Sequence, residues 1–243
     1  MTPEFTTGQI QPIECVKQGW ALIKDEYWLL FAISMVGALI GGVSFYVLIG
    51  AMICGIFTCY LKKIDGEKVV FDDLWLGFKY FGRSLLVTVL VVVPIVIYII
   101  SIFVTIYLPI IVKAVGGNKV SDEQVLGTFG GALVVDLIVA ILMVCVHSLL
   151  MFAFPLIVDR GLSSIDAIKL SARATLKNMG GVGGLIVTNF ILAVAGYIAF
   201  CFGLYLVIPV ITASNLIAYR QVFPRPDGPG FVPPPPTAYP ELS

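Results

Sequence analysis

Asp136 and His147 stand eleven residues apart in an otherwise apolar run. Eleven residues is close to three helical turns, so a helix would place both on one face, roughly 16 Å apart along its axis. An ionisable side chain at membrane depth is costly and is a functional candidate by default. Asn189, in the next apolar run, would sit at about the depth of His147, and the two are expected to hydrogen-bond across neighbouring spans. The chemistry open to Asp136, His147 and Asn189 is passage of a proton or small solute along a polar face. The plainer reading is interhelical hydrogen bonding, which contributes about 0.6 kcal/mol per contact.

A second set of residues could meet anions. Asp166, Lys169, Arg173 and Lys177 form a charged stripe at helical spacing, with Arg160 just before it. Arg160, Lys169, Arg173 and Lys177 are the candidate contacts to lipid headgroups, as in helices that lie in the membrane interface. Asp159, Arg160, Ser163, Ser164 and Asp166 are the densest polar set near an interface, where a lipid-acting enzyme would need its groups. They read better as a turn and a helix cap, since Ser163 and Asp166 have the spacing of a capping box. His147 is the only histidine and none of the five cysteines forms a CxxC pair, so the usual metal patterns are missing. No glycine cluster precedes Lys-Ser or Lys-Thr at phosphate-loop spacing. The expectation is a chain with no catalytic residues, no metal and no cofactor, hence not an enzyme.

These residues are embedded in a chain of 243 residues that is 59% hydrophobic and 12% charged, with a mean hydropathy of +1.01. Soluble domains carry about 25% charged residues, so this is an all-α integral membrane protein. Formal net charge is zero, and nucleic acid is not an expected partner. Crossing the hydrocarbon takes about 20 apolar residues. Six spans are expected. Tyr27–Ile40 and Val43–Leu61 would be short helices turning at Gly41-Gly42, with a re-entrant pair as the alternative. Ser84–Val112 follows, kinked at Pro94 and Pro109, then Phe129–Val158. Val182–Tyr219 is split near Gly196–Gly203. Of the 15 Lys and Arg, all but Lys113 and Lys119 then fall on one side, and positive charge marks the cytoplasm. The expected location is the cell membrane, as in a bacterial inner membrane, with both termini cytoplasmic.

Three segments before spans share a pattern of apolar, acid, apolar, small, apolar-or-alanine. They are Ile13-Glu14 with Val16, Gly19 and Trp20; Phe71-Asp72 with Leu74, Gly77 and Phe78; and Ile165-Asp166 with Ile168, Ser171 and Ala172. The expected architecture is three units, each an interfacial amphipathic helix plus a helical hairpin, the amphipathic helices either binding lipid or packing on the bundle as ordinary connections. The domains would be residues 1–26, a cytoplasmic segment with an amphipathic helix; 27–223, the membrane domain, with cytoplasmic amphipathic helices near 70–83 and 164–178; and 224–243, a Pro-rich disordered tail. Gly37-x-x-x-Gly41, Gly127-x-x-x-Gly131 and Gly180-x-x-x-Gly184 fit the small-residue motif of close helix packing, within one subunit or in a homo-oligomer.

The run Phe154-Pro155-Leu156-Ile157-Val158-Asp159-Arg160-Gly161, followed by Ala167-Ile168-Lys169-Leu170-Ser171, resembles several bacterial multi-pass families of unknown function. It is also similar to the membrane domain attached to some glycerophosphodiester phosphodiesterases. The resemblance is clearest over 154–219 and implies a fold, not a chemistry. The phosphodiesterase domain itself has no counterpart here, and no functional residues carry over.

Pro233–Pro236 and the prolines around them make the tail extended, a solvated end or a docking peptide for a cytoplasmic partner. The function expected from all this is a non-enzymatic multi-pass protein that organises membrane lipid or partner proteins at the cytoplasmic face. The alternative is a small-solute or proton-coupled transporter or channel using the polar face of the fourth span.

Overall fold

A computed structural model of the chain describes residues 5–116, 122–199 and 202–225. The tail beyond Arg225, with Lys119 and Cys201, lies outside the described residues. Among the described residues the protein is helical, without strands. Five helical stretches are long and apolar enough to cross a membrane: Pro12–Val43, Phe71–Val112, Phe129–Arg160, Met179–Ala199 and Gly203–Val222.

Helix α1, Pro12–Ile23, starts with proline in its first turn, where the missing N–H costs nothing. A short 3-10 turn, Lys24–Glu26, leads into α2, Tyr27–Val43. Helix α3, Ile49–Ile64, has 16 residues and so measures roughly 24 Å, short of the ~30 Å hydrocarbon core. This is the expected second span that falls outside the five. The turn between α2 and α3 lies at 44–48, not at the Gly41-Gly42 pair that the sequence suggested. Gly41 is committed to close approach, since a Cβ there would meet Ile49 at 3.0–3.2 Å. Ser44 makes the turn instead, donating to the Gly41 carbonyl at 2.9 Å and accepting from Leu48 N–H at 3.1 Å. Phe45 and Tyr46 take left-handed backbone, φ 51° and 65°, an uncommon conformation for bulky residues.

A 3-10 segment, Phe71–Tyr80, precedes α4, Phe81–Ile102, which contains Pro94. A π turn over Phe103–Tyr107 joins it to α5, Leu108–Val115. Pro109 explains the π turn, because it has no N–H for the Thr105 carbonyl and its ring crowds that oxygen. The turn before it widens, and Leu108 N–H bonds to Phe103 O, five residues back. Helix α6, Asp122–Leu149, ends before the expected fourth span does, and α7, Ala153–Arg160, follows after a break. Pro155 lies in the first turn of α7, where a proline is tolerated, so the sequence starts a new helix there. Gly161, at φ 62°, ends α7 in left-handed backbone. Helices α8, Ser164–Lys177, α9, Met179–Ala199, and α10, Gly203–Val222, complete the described chain. The break between α9 and α10 falls where the glycines predict it.

The chain divides into two compact units, residues 1–34, 60–69 and 176–243, and residues 35–59 and 70–175. In the first, α1 packs along α10 and α9. Gly19 permits this, since a Cβ there would meet Ser214 N at 3.0 Å and Ala213 Cβ at 3.3 Å. Near the start of α1, Ile10 and Pro12 sit against Gly181 and Gly184. At its far end Tyr27 Oη donates to the Leu206 carbonyl at 2.5 Å, so α1 runs antiparallel to α10. The sequence allowed two readings of α1, laid in the membrane interface or packed on the bundle. Cys15, Gly19 and Ile23 are buried on protein, while Ile13 and Trp20 of the apolar face are exposed.

In the second unit Gly55 and Gly77 meet where the 3-10 segment crosses α3. A Cβ on Gly77 would overlap the Ala51 carbonyl and the Gly55 backbone, and one on Gly55 would overlap the Leu74 carbonyl. Gly50 seats Ser84 and Thr88 of α4 in the same way. Gly37, from the first small-residue motif, packs on Ile56 and Leu74, whereas Gly127 and Gly131 face open space. The motif spacing at 127 and 131 therefore makes no contact among the described residues.

Candidate functional site

Asp136 is 7% exposed, and the α4 segment and π turn hold its carboxylate. Ser101 Oγ donates to Oδ1 at 2.6 Å, and Thr105 Oγ1 lies 3.0 Å from Oδ2. Thr105 Oγ1 also lies 2.8 Å from the Ser101 carbonyl. The two hydroxyls are one turn apart on one helix face, and the π turn begins between them. They answer the polar requirement that makes an intramembrane carboxylate costly. Sequence reasoning singled out Asp136 and missed both partners. Their signal was present as two hydroxyl residues four apart in an aliphatic stretch.

His147 and Asn189 have hydrogen-bond partners of their own. His147 Nδ1 lies 2.8 Å from the Met143 carbonyl, one turn back on its own helix. Asn189 Nδ2 donates to Asn215 Oδ1 of α10 at 2.7 Å. His147 belongs to the unit containing residues 70–175 and Asn189 to the unit containing residues 176–243.

The basic stripe is where the sequence placed it. Lys169, Arg173 and Lys177 are exposed on α8, while Ala167, Leu170, Ser171, Ala174 and Thr175 are buried on its other side. Exposed Ile165 and Leu176 border the stripe. Arg160 differs, being half-buried at the end of α7. The helix start is capped as its spacing predicts, with Asp166 N–H donating to Ser163 Oγ at 3.2 Å and Ser163 Oγ donating to Asp166 Oδ2 at 2.7 Å. Ser164 Oγ donates to the Arg83 carbonyl at 2.5 Å, and Arg83 returns a bond to the Gly161 carbonyl at 2.8 Å.

The buried face of α8 has a task that the sequence did not reveal. Ser171 Oγ accepts from Phe152 N–H at 3.1 Å and donates to the Leu149 carbonyl at 2.7 Å. Thr175 Oγ1 donates to the Ser148 carbonyl at 3.1 Å. A broken helix leaves backbone groups that must find partners when buried, and α8 supplies them across the break between α6 and α7. The stripe is thereby held at a fixed place and turned outward.

In the other unit Asp65 is ion-paired with Arg220 at 2.9 Å and with Arg225 at 3.0 Å. Lys63 pairs with Glu26 at 2.9 Å. A cavity of about 330 Å³ opens beside Arg220, lined also by Gln18, Leu22, Ile64, Ile217 and Gln221. The described residues contain no cluster of His, Cys, Asp or Glu able to hold a metal ion. No protein-family profile matches the chain, and comparison with curated proteins and with solved structures finds no match.

Proposed function

We propose that this is a non-enzymatic multi-pass protein that gathers anionic lipid at the cytoplasmic face of the membrane. The observation that carries the reading is α8, whose exposed Lys169, Arg173 and Lys177 run beside exposed Ile165 and Leu176. Such a face inserts its apolar edge at the acyl boundary and turns its cations to the headgroups. Each Lys or Arg near an anionic surface contributes about 1 kcal/mol. Replacing all three by glutamine is therefore expected to lower the ratio of phosphatidylglycerol to phosphatidylethanolamine retained by the protein after mild extraction by at least about tenfold. An unchanged ratio would sink the reading.

The topology that fits is six spans with both termini cytoplasmic, α2 and α3 crossing as a pair. The hairpin is antiparallel, with Gly41 against Ile49 and Ser34 Oγ 3.0 Å from Tyr60 Oη. Phe45 is 90% exposed at its tip. Phe45→Cys should react with a membrane-impermeant maleimide in intact cells, above the background of the unsubstituted protein. Reaction only after lysis would mean that the hairpin re-enters from the cytoplasm, leaving four crossings. A three-unit origin for the chain is supported by the small residues Gly19, Gly77 and Ser171, each seated against the backbone of another helix. The alternative is a solute or proton carrier using Asp136, His147 and Asn189, each of which has a hydrogen-bond partner of its own.

A further inference from the structure

The cavity beside Arg220 belongs to neither the α8 stripe nor the Asp136 site. Its walls are of two kinds. Leu22, Ile64 and Ile217 form an apolar side, and Arg220, Gln221 and Gln18 form a polar one. The Gln221 side chain is held at its oxygen, Oε1 accepting from Gln11 N–H at 3.4 Å and from Cys15 Sγ at 3.4 Å. That fixes the amide NH2 as its donor end. The Arg220 side chain, 12% exposed, is oriented by Asp65 at 2.9 Å. Asp65 pairs with Arg225 as well, so the two guanidiniums converge on one carboxylate. A planar guanidinium beside an amide donor recognises carboxylate or phosphate oxygens. The volume of about 330 Å³ holds roughly eleven waters at ~30 Å³ each. That accommodates an anionic headgroup and the first carbons of its chain, not a whole two-tailed lipid.

We infer that this cavity is a binding site for one anionic amphiphile, its carboxylate or phosphate on Arg220 and Gln221 and its chain along Leu22, Ile64 and Ile217. It rests on the membrane reading alone, not on the α8 stripe. The ligand can come from the bilayer as a phospholipid or from solution as a fatty acid.

The test is native mass spectrometry of the full chain in a mild nonionic detergent, with dioleoyl phosphatidylglycerol, oleate or dioleoyl phosphatidylcholine added in turn. One tightly held anionic adduct per chain is expected. Phosphatidylglycerol alone in that role identifies a bilayer source, and oleate alone identifies a free acid. Retention of both identifies headgroup charge as the shared determinant. Leu22→Trp, which fills the cavity from its half-buried edge, should reduce the adduct at least tenfold. Arg220→Lys, which keeps the charge and loses the fork, should reduce it less. Neutralising Lys169, Arg173 and Lys177 should leave it unchanged, which separates this site from the stripe. Equal retention of phosphatidylcholine, or an adduct indifferent to Leu22→Trp in a protein that elutes as the parent does, overturns the inference.

Discussion

Gly77→Ala is expected to destabilise the protein by about 3 kcal/mol or more, the upper range for forcing atoms into a packed contact. The added methyl has nowhere to go. It would overlap the Ala51 carbonyl and the Gly55 backbone, and the backbone of α3 cannot swing aside as a long side chain could. Gly55 faces the same crossing from the other side, so the 3-10 segment and α3 are in contact backbone to backbone. Gly82, five residues on, has nothing within 4 Å of a built Cβ, and Gly82→Ala provides the control. The measurement is the temperature at which half of the detergent-solubilised protein is lost from the monodisperse peak. At ~2–4 °C per kcal/mol for a chain of this size, Gly77→Ala should fall by roughly 6–12 °C. Matching midpoints for the two variants would mean that the close crossing does not exist in the folded protein.

Ser171→Ala should have the next largest effect, about 1–3 kcal/mol, because it withdraws one hydroxyl that serves both sides of a buried helix break. Phe152 N–H loses the acceptor that Ser171 offers, and the Leu149 carbonyl loses a donor. Thr175→Val should cost less, since its hydroxyl serves one carbonyl, that of Ser148. Hydrogen exchange locates the effect. Amides at 150–152 should exchange faster in Ser171→Ala, with α9 and α10 unaffected. Uniformly faster exchange would instead make Ser171 an ordinary packing residue.

What could be read from the residues, and what could not, divides along the range of the interaction. Membrane character, the α9–α10 break and the Ser163–Asp166 cap depend on composition and near neighbours, and these are legible. So is the outward stripe of Lys169, Arg173 and Lys177, which follows from the 3.6-residue period. The turn at 44–48 was misplaced because glycine has two uses, to reverse a chain and to admit a neighbour, and Gly41 is spent on the second. That α10 is the helix covering α1 was not legible, because amphipathicity states that a face is covered and not by what. The Asp136 partners were missed for a related reason. Ser101 and Thr105 lie 35 and 31 positions away in the chain, and nothing local indicates which helix will face Asp136. The break between α6 and α7 was hidden by hydropathy, which continues across it while Pro155 restarts the helix.

The widened turn at Phe103–Tyr107 gives the third stretch a property that its amino acids do not show singly. A π turn carries one residue more than an α-helix needs for the same rotation, and one residue is about 100° of phase. Phe81–Ile102 and Leu108–Val115 therefore keep time by two clocks set apart. A side chain counted in sevens from Ser101 does not arrive over Ser101. Thr105 reaches Asp136 from within the discontinuity, where the two countings disagree. Chain length is fixed locally here as firmly as residue type. An inserted or deleted residue within 103–107 would leave every side chain downstream chemically intact and facing the wrong neighbour.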